Sequence, residues 1–116
     1  MEVTLSMIRD IPIFHLSGRL DALSVPVLEE RLKPLLDGTA QRVIFDCSAL
    51  SYVSSAGLRV FVTLQRHLSQ LKGGVAFASL SSFVAEVFAM TGLDALFIIG
   101  STSEEAAAKL LAPVSP

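Results

Sequence analysis

Polar and apolar residues alternate at the start of the chain. The alternation covers residues 2–7 and predicts a half-buried strand, because neighbouring side chains of a strand point to opposite faces. A second strand is predicted over 11–17, and Gly18 should end it. The connection between them, Arg9-Asp10, is typical of a tight hairpin, so we expect the two strands to pair antiparallel.

Farther along, apolar residues recur every three or four positions, which is the spacing of an amphipathic helix. Four helices are predicted, with N-terminal caps at Ser24, Ser54 or Ser55, Ser81 or Ser82, and Ser101 or Thr102. Pro34 should kink or shorten the first helix, and Gly38 should close it.

Short apolar runs lie between these helices. They predict strands over 42–46, 75–78 and 96–99, with a loop over 47–54. Strands that alternate with helices favour right-handed crossovers and parallel pairing. We therefore expect a single-domain α/β fold: a mixed, mostly parallel sheet of about five strands with four helices, whose first two strands are antiparallel. Residues 1–112 should form the domain and 113–116 a short C-terminal tail.

The composition fits this fold and argues against several classes of function. With 116 residues, 52% of them apolar, the chain can bury one sizeable core. A net charge of −2 gives no basic face for direct contact with nucleic acid. No apolar run approaches the roughly 18 residues of a membrane span, and the N-terminus lacks the pattern of a signal peptide. We therefore expect a cytoplasmic protein without membrane insertion.

Residues that commonly hold metals or cofactors are scarce. The chain has one cysteine, Cys47, and two histidines, His15 and His67, whose spacing matches no metal site. The sequence also lacks a glycine-rich phosphate loop. We expect no metal and no cofactor, regard Cys47 as a small buried apolar residue, and assign neither histidine a role.

The segment 45–61 is the most informative about function. A buried strand is followed there by Ser54-Ser55-Ala56-Gly57, which opens a helix. In an open α/β sheet the loops at the carboxyl ends of the strands gather binding groups, and the first N–H groups of a helix are free. A purely structural alternative remains open, in which a serine caps the helix and Gly57 permits close packing.

Five short segments then identify a family through their combined order and spacing. They are 18–21 (GRLD), 46–48 (DCS), 52–58 (YVSSAGL), 91–93 (TGL) and 103–106 (SEEA). On these segments the chain resembles the STAS domain family, which includes bacterial anti-sigma factor antagonists and the C-terminal domains of sulfate-type anion transporters. The resemblance covers nearly the whole chain.

The family's phosphorylated serine usually lies in a pattern like Asp-Ser-Ser-Gly-Leu. On this chain Ser54 takes the place of the acid, Ser55 the phosphorylated place, Ala56 the place of the second serine and Gly57 that of the glycine. The chain therefore departs from the family by lacking an acid that could orient the hydroxyl or the metal ion of a kinase. The resemblance implies that Ser55 accepts phosphate.

The resemblance also implies a partner-binding surface around Ser55. Asp21 matches an acidic residue in a loop that contacts the kinase in relatives, although an aspartate there can simply cap a turn. Arg59, one turn into the same helix, is a further candidate contact or else a solvated charge. Asp46 and Ser48 are assigned a structural role in the loop after the third strand. The full predicted partner-binding set is Asp21, Ser54, Ser55, Ala56, Gly57 and Arg59.

Taken as a member of this family, the chain is expected to be a regulator and not an enzyme. The unphosphorylated form would bind a serine-kinase anti-sigma factor and release sigma. Phosphorylation of Ser55 would turn binding off, and a phosphatase would restore it. Nucleotide and metal would belong to the kinase, and the chain itself would be a monomer or weak dimer.

Two other functions are open at this level. The first is a STAS binding module that is not phosphorylated, such as a soluble subunit of a lipid or anion transport system. The second is an enzyme with Ser55 as nucleophile, which would need a base that neither histidine is placed to supply. The sequence also lacks the Gly-x-Ser-x-Gly pattern of serine hydrolases.

Overall fold

The computed structural model describes residues 1–38 and 40–112, so the predicted tail at 113–116 lies outside the described residues. Its strands are β1 (Glu2–Ile8), β2 (Ile11–Leu20), β3 (Arg42–Val53), β4 (Gly74–Ala78) and β5 (Ile98–Gly100). Its helices are α1 (Val25–Asp37), α2 (Ser55–Gln70), α3 (Ser82–Thr91) and α4 (Ser103–Leu111), with a short 3₁₀ turn at Leu93–Ala95.

The five strands lie side by side in the order in which they occur in the sequence, β1-β2-β3-β4-β5. The β1–β2 pair is antiparallel, and the other three pairs are parallel. The predicted fold class is therefore confirmed. The carboxyl ends of β2, β3, β4 and β5 all lie at one edge of the sheet, where the loops into the helices begin.

Helices cover both faces of the sheet. Helices α1, α2 and α3 pack on one face over the main core, and α4 packs on the other face over a smaller cluster. The main core contains six phenylalanines: Phe14, Phe45, Phe61, Phe77, Phe88 and Phe97. The smaller cluster uses alanines of β4 and α4, which let the helix approach the sheet closely.

Strands β2 and β3 are both longer than predicted. The predicted stop at Gly18 and the predicted loop over 47–54 are wrong, because β2 continues to Leu20 and β3 to Val53. Gly18 has a φ of +101°, a backbone conformation that other residues rarely adopt, and it lets the strand pass an irregular step. The extension matters because it carries both strands to one shared end.

Strand β1 lies at the edge of the sheet and is less buried than predicted. Val3 is buried and its carbonyl accepts a 2.8 Å hydrogen bond from Arg31 of α1. Leu5 and Met7, on the same face of the sheet, are 48% and 63% exposed. They lie beyond the helices that cover the inner strands, so the half-buried prediction holds only for the start of β1.

Helix α1 ends before Gly38, as predicted, but it differs from its prediction in two other details. It is not shortened by Pro34, because residues 30 and 34 both face solvent and water can satisfy the carbonyl that loses its partner. Ser24 occupies the N-cap position, but its hydroxyl does not cap a helix N–H group. It donates instead to the carbonyl of Arg19 at 2.8 Å, which ties the start of α1 to β2.

The structure also defines the starts of three other elements. Of the alternative caps, Ser81 accepts from Val84 N–H at the start of α3, and Thr102 accepts from Glu105 N–H at the start of α4. Strand β5 begins at Ile98 and not at residue 96, because the preceding 3₁₀ turn leaves Leu96 exposed outside the sheet.

Cys47 is fully buried in the main core, as predicted, and burial raises the pKa of its thiol well above the ordinary value. The thiol should therefore stay protonated and unreactive in the folded chain. We expect no reaction with a disulfide reagent such as DTNB at pH 8 in buffer, and complete reaction of one thiol in urea. Rapid reaction of the native protein would contradict this placement.

Candidate functional site

The candidate site lies where β2 and β3 end together. Leu20 and Val53, the last residues of the two strands, are partners in the parallel pair. The N–H group of Ser54 then donates to the carbonyl of Leu20 at 2.9 Å. This bond joins the loop after β3 to the loop after β2. Asp21 and Ser54, the first residues after the two strands, therefore lie at neighbouring positions on the same edge of the sheet.

Ser54 and Ser55 have different surroundings. Ser54 is the N-cap of α2: its side chain accepts from Gly57 N–H at 3.4 Å, and its carbonyl accepts from Leu58 N–H at 2.9 Å. Its half-buried side chain therefore has a structural function. Ser55 is the first residue of α2, and its side chain is exposed to solvent.

Gly57 is buried where the first turn of α2 crosses the ends of β2 and β3. A Cβ atom there would lie 2.8 Å from Leu20 Cγ and 3.0 Å from Val53 Cγ2, closer than carbon atoms pack. The absence of a side chain thus lets the helix start close to the sheet. Gly57 positions Ser55 rather than offering a surface of its own.

Substituting Gly57 by alanine should lower the free energy of unfolding by about 1–3 kcal/mol, because Leu20 or the helix must shift. The sign is informative, since glycine to alanine inside a helix normally stabilises by roughly 0.5–1 kcal/mol. Urea denaturation of the two proteins measures the difference. Thr63→Ala, at an exposed position of α2, is the control and should change stability by less than about 0.5 kcal/mol. A Gly57→Ala protein more stable than the parent would rule out the close contact.

Asp21 caps the turn that leads into α1. Its Oδ1 atom accepts from the N–H groups of Leu23 and Ser24, both at 3.1 Å. The hydrogen bond from the Ser24 N–H is the largest influence on the carboxyl group, and the pKa of Asp21 lies below its ordinary value. The turn-capping alternative therefore describes what Asp21 does within the fold, and it leaves the carboxylate charged beside the Ser55 loop.

Sequence reasoning missed an apolar residue in this turn. Leu23 lies in a surface loop, and it is 90% exposed. The available signal was a leucine inside the short Asp21–Ser24 turn, where no packing partner was predicted. An exposed leucine in the turn that Asp21 caps adds an apolar surface to an otherwise polar edge.

A groove runs from the Ser55 loop along the outside of the molecule between α1 and α2. Its volume is about 730 Å³, and Ala56 and Arg59 lie at the end nearest Ser55. Its apolar lining comes from Val25, Leu32, Leu36, Val60 and Leu64. The predicted residues Ala56 and Arg59 therefore border both the exposed serine and an open apolar surface.

Asp46 and Ser48 do not lie in the Ser55 loop. Both belong to β3, and the eight residues from Asp46 to Val53, where the strand ends, span on the order of 20 Å. The Asp46 side chain instead forms a hydrogen bond with His15, whose Nδ1 atom lies 2.8 Å from the Asp46 Oδ2 atom. Burial raises the pKa of Asp46, but hydrogen bonds from the Ser48 N–H and from His15 outweigh it, and the pKa lies below its ordinary value.

Within residues 1–38 and 40–112, no group of three or more His, Cys, Asp or Glu side chains is arranged to hold a metal ion. None of the helices in this part of the chain is both long and apolar enough to cross a membrane. The site at the ends of β2 and β3 therefore consists of an exposed hydroxyl, a charged carboxylate and an apolar margin.

The sequence profile of the STAS domain matches residues 2–106. The chain belongs to the STAS domain family. This STAS domain is 33% identical over 108 residues to BtrV of Bordetella bronchiseptica, a candidate anti-sigma factor antagonist, with 93% of each chain covered. It is also 33% identical over 91 residues to the anti-sigma-B factor antagonist of Bacillus subtilis, covering 78% of this chain and 82% of the relative.

Solved structures share the fold of this STAS domain. The anti-sigma factor antagonist SpoIIAA in its unphosphorylated form superposes with a TM-score of 0.79 at 24% identity, covering 98% of this chain and 100% of SpoIIAA. The phosphorylated form of SpoIIAA, from Bacillus, superposes with a TM-score of 0.71 at 24% identity, covering 93% and 98%. The similarity to a known fold is thus established over almost the whole domain.

Proposed function

We propose that this STAS domain is an anti-sigma factor antagonist that is switched by phosphorylation of Ser55. In its unphosphorylated form it binds a serine-kinase anti-sigma factor in the cytoplasm and releases the sigma factor. Phosphate on Ser55 ends this binding, and a phosphatase restores it. The relatives named as anti-sigma factor antagonists support the general role.

The observation that carries the proposal is the exposed Ser55 hydroxyl at the N-terminus of α2. A kinase can reach it without unfolding the domain. Ser54 supplies the helix cap, so modification of Ser55 leaves the capping hydrogen bond in place. The hydroxyl that would react is therefore separate from the hydroxyl that holds the helix start.

The same position can accept the charge of a phosphate. A phosphoserine carries about 1.5 to 2 negative charges at neutral pH, and a helix N-terminus favours such charge by roughly 0.3–1 kcal/mol. The first turn of α2 contains no acidic residue, so the charged carboxylate of Asp21 opposes the phosphate only from the neighbouring loop. Arg59 is four residues farther along the helix and exposed, within the spacing at which side chains pair. The fold should therefore be retained after phosphorylation.

The proposed partner-binding surface is the solvent-exposed side of the edge at which β2 and β3 end. Its members are Asp21, Leu23, Ser55, Ala56 and Arg59, which combine an apolar contact with charges of both signs. A phosphate placed inside such a contact must lose water or meet partner carboxylates, and both disfavour binding. The proposed switch therefore acts at the interface and leaves the domain itself unchanged.

The direct test is phosphorylation by the serine-kinase anti-sigma factor of the same organism. Incubation with ATP and Mg²⁺ should add a single phosphate, which mass spectrometry should locate on Ser55. Ser54→Ala should still be phosphorylated, and Ser55→Ala should not. A binding kinase that leaves Ser55 unmodified would favour an unphosphorylated STAS binding module instead.

Asp21 allows its turn function and its proposed binding function to be separated. Asp21→Asn retains an oxygen that accepts from Leu23 and Ser24, so the fold should persist, but it removes the charge. We expect the affinity for the kinase to fall at least about tenfold, the effect of losing one charged hydrogen bond. Isothermal titration calorimetry and urea denaturation measure the two effects. Unchanged affinity in Asp21→Asn would mean that Asp21 acts only through the turn.

A further inference from the structure

Three polar side chains form a continuous hydrogen-bonded chain across the sheet face that carries α4. The Ser6 Oγ and His15 Nε2 atoms are 2.7 Å apart, and the other ring nitrogen of His15 lies 2.8 Å from Asp46 Oδ2. Ser6 is on β1, His15 on β2 and Asp46 on β3. This cluster lies well away from Ser55 and is not used by the proposed function.

The strand register fixes the arrangement. His15 and Asp46 are direct partners in the β2–β3 pair. Ser6 is opposite Ile13, which puts it diagonally beside His15 on the same face. Each of the three side chains is thus held by a regular position in the sheet and not by a loop.

The hydrogen bonds determine how His15 is protonated. An ionised carboxylate only accepts hydrogen bonds, so Nδ1 of His15 carries the proton that faces Asp46. The Ser48 N–H group donates to the second oxygen of Asp46 at 3.0 Å and fixes the carboxylate from the other side. In the neutral ring, Nε2 is then a free base directed at the Ser6 hydroxyl.

We propose that Ser6 is an activated serine and a second modification site, one that accepts an acyl group from small activated donors such as acyl phosphates. Ser6 Oγ attacks the carbonyl carbon of the donor while His15 Nε2 takes the hydroxyl proton. The bond from that carbon to the phosphate oxygen breaks, and phosphate leaves with the electron pair. Asp46 stabilises the charged imidazole, which then releases its proton to water, and an O-acyl serine remains.

Exposure determines which donors can react. Ser6 is exposed on an edge strand, and the side chain of His15 is 37% exposed, whereas that of Asp46 is only 20% exposed. A small donor can therefore reach the hydroxyl while the carboxylate stays shielded. An enzymatic cycle would also require hydrogen-bond donors on the protein that stabilise the oxyanion of the reaction intermediate. The geometry supports a single acylation of the chain and not an enzymatic cycle.

The test uses the full chain with p-nitrophenyl acetate and, separately, with acetyl phosphate, followed by mass spectrometry to locate acetyl groups. A general base typically accelerates such a reaction by about 10²-fold or more, so Ser6 should be acetylated at least that much faster than Ser51. Ser51 is a matched comparison, because it is also exposed but its hydroxyl donates to the carbonyl of Gly18 and meets no base there.

Variants decide whether the histidine is responsible. His15→Gln should slow acetylation of Ser6 by about 10²-fold, and Asp46→Asn should slow it as well. Circular dichroism checks that each variant is folded. If one of the two variants does not fold, the other still tests the proposal. Equal rates at Ser6 and Ser51, or an unchanged rate in folded His15→Gln and Asp46→Asn, would overturn the proposal. Ser55→Ala should leave Ser6 acetylation unchanged, which separates this result from the test of the proposed function.

Discussion

Replacing Ser55 by glutamate is expected to weaken binding of the serine-kinase anti-sigma factor at least about tenfold, which corresponds to about 1.4 kcal/mol. The reason is that the new carboxylate must lose water or face like charge in the contact surface around Asp21 and Leu23. Ser55→Ala should bind as tightly as the parent, because only a hydroxyl is removed, and it should never be released by phosphorylation. Isothermal titration calorimetry with the purified kinase measures both affinities.

The control places the same charge at an equivalent structural position. Ser82 is also an exposed first residue of a helix, and it follows an N-cap serine, Ser81. Ser82→Glu should therefore bind the kinase within about twofold of the parent, since an exposed charge outside the proposed contact set of Asp21, Leu23, Ser55, Ala56 and Arg59 has little effect. Equal losses in Ser55→Glu and Ser82→Glu would show that net charge, and not the position of Ser55, governs the interaction.

Replacing Phe77 by alanine is expected to lower the free energy of unfolding by about 3–5 kcal/mol. The Phe77 ring is fully buried, with the centroids of Phe61, Phe88 and Phe97 each 4.9 Å away and that of Phe45 at 5.6 Å. Removing it leaves a cavity on β4 between α2 and α3. The loss is a large part of the 5–15 kcal/mol that holds a typical domain together. Urea denaturation at constant pH measures it.

Two further variants keep this measurement interpretable. Phe77→Leu retains most of the volume and should cost less than about 1.5 kcal/mol, so it remains foldable if Phe77→Ala is not. Phe83→Ala removes a ring that is 47% exposed and stacks on Tyr52, and it should cost less than about 1 kcal/mol. A loss below about 2 kcal/mol for Phe77→Ala would mean that the core closes over the missing ring.

The order of helices and strands was predictable from the sequence because each element has a clear period. The spacing of Leu28, Leu32 and Leu35 in α1 and of Phe61, Leu64 and Leu68 in α2 marks faces that are buried in the structure. Strand β4 is buried at every position, which its unbroken apolar run indicated. Each of these elements keeps the same pattern of buried positions over its whole length, so the sequence pattern and the final fold agree.

The second half of β3 was missed because its alternation is broken twice. Between the partners of His15 and Ser17, β3 uses one residue more than β2, and it does so again between the partners of Gly18 and Arg19. Each extra residue shifts the side chains that follow to the other face. Buried Cys47, Leu50 and Val53 therefore fall three residues apart, which no strand rule predicts.

The same error hid the polar chain on the other face of the sheet. With 47–54 taken as a loop, Asp46 was placed at the end of its strand and His15 had no predicted partner. Contacts across strands depend on register, and register is not contained in the periodicity of either strand alone. The exposure of Ser55 was easier to anticipate, since a serine just inside a helix start lies at the edge of the sheet.

The side-by-side order of the strands has a consequence for how the chain emerges from the ribosome. Each strand pairs with the one made just before it, so the nascent sheet can grow by one strand at a time without waiting for distant sequence. The last helix, α4, packs against β3, β4 and β5, and it also contacts β1. Once α4 is synthesised, it covers the second face of the sheet. A chain released before α4 is made would leave that face exposed and prone to self-association.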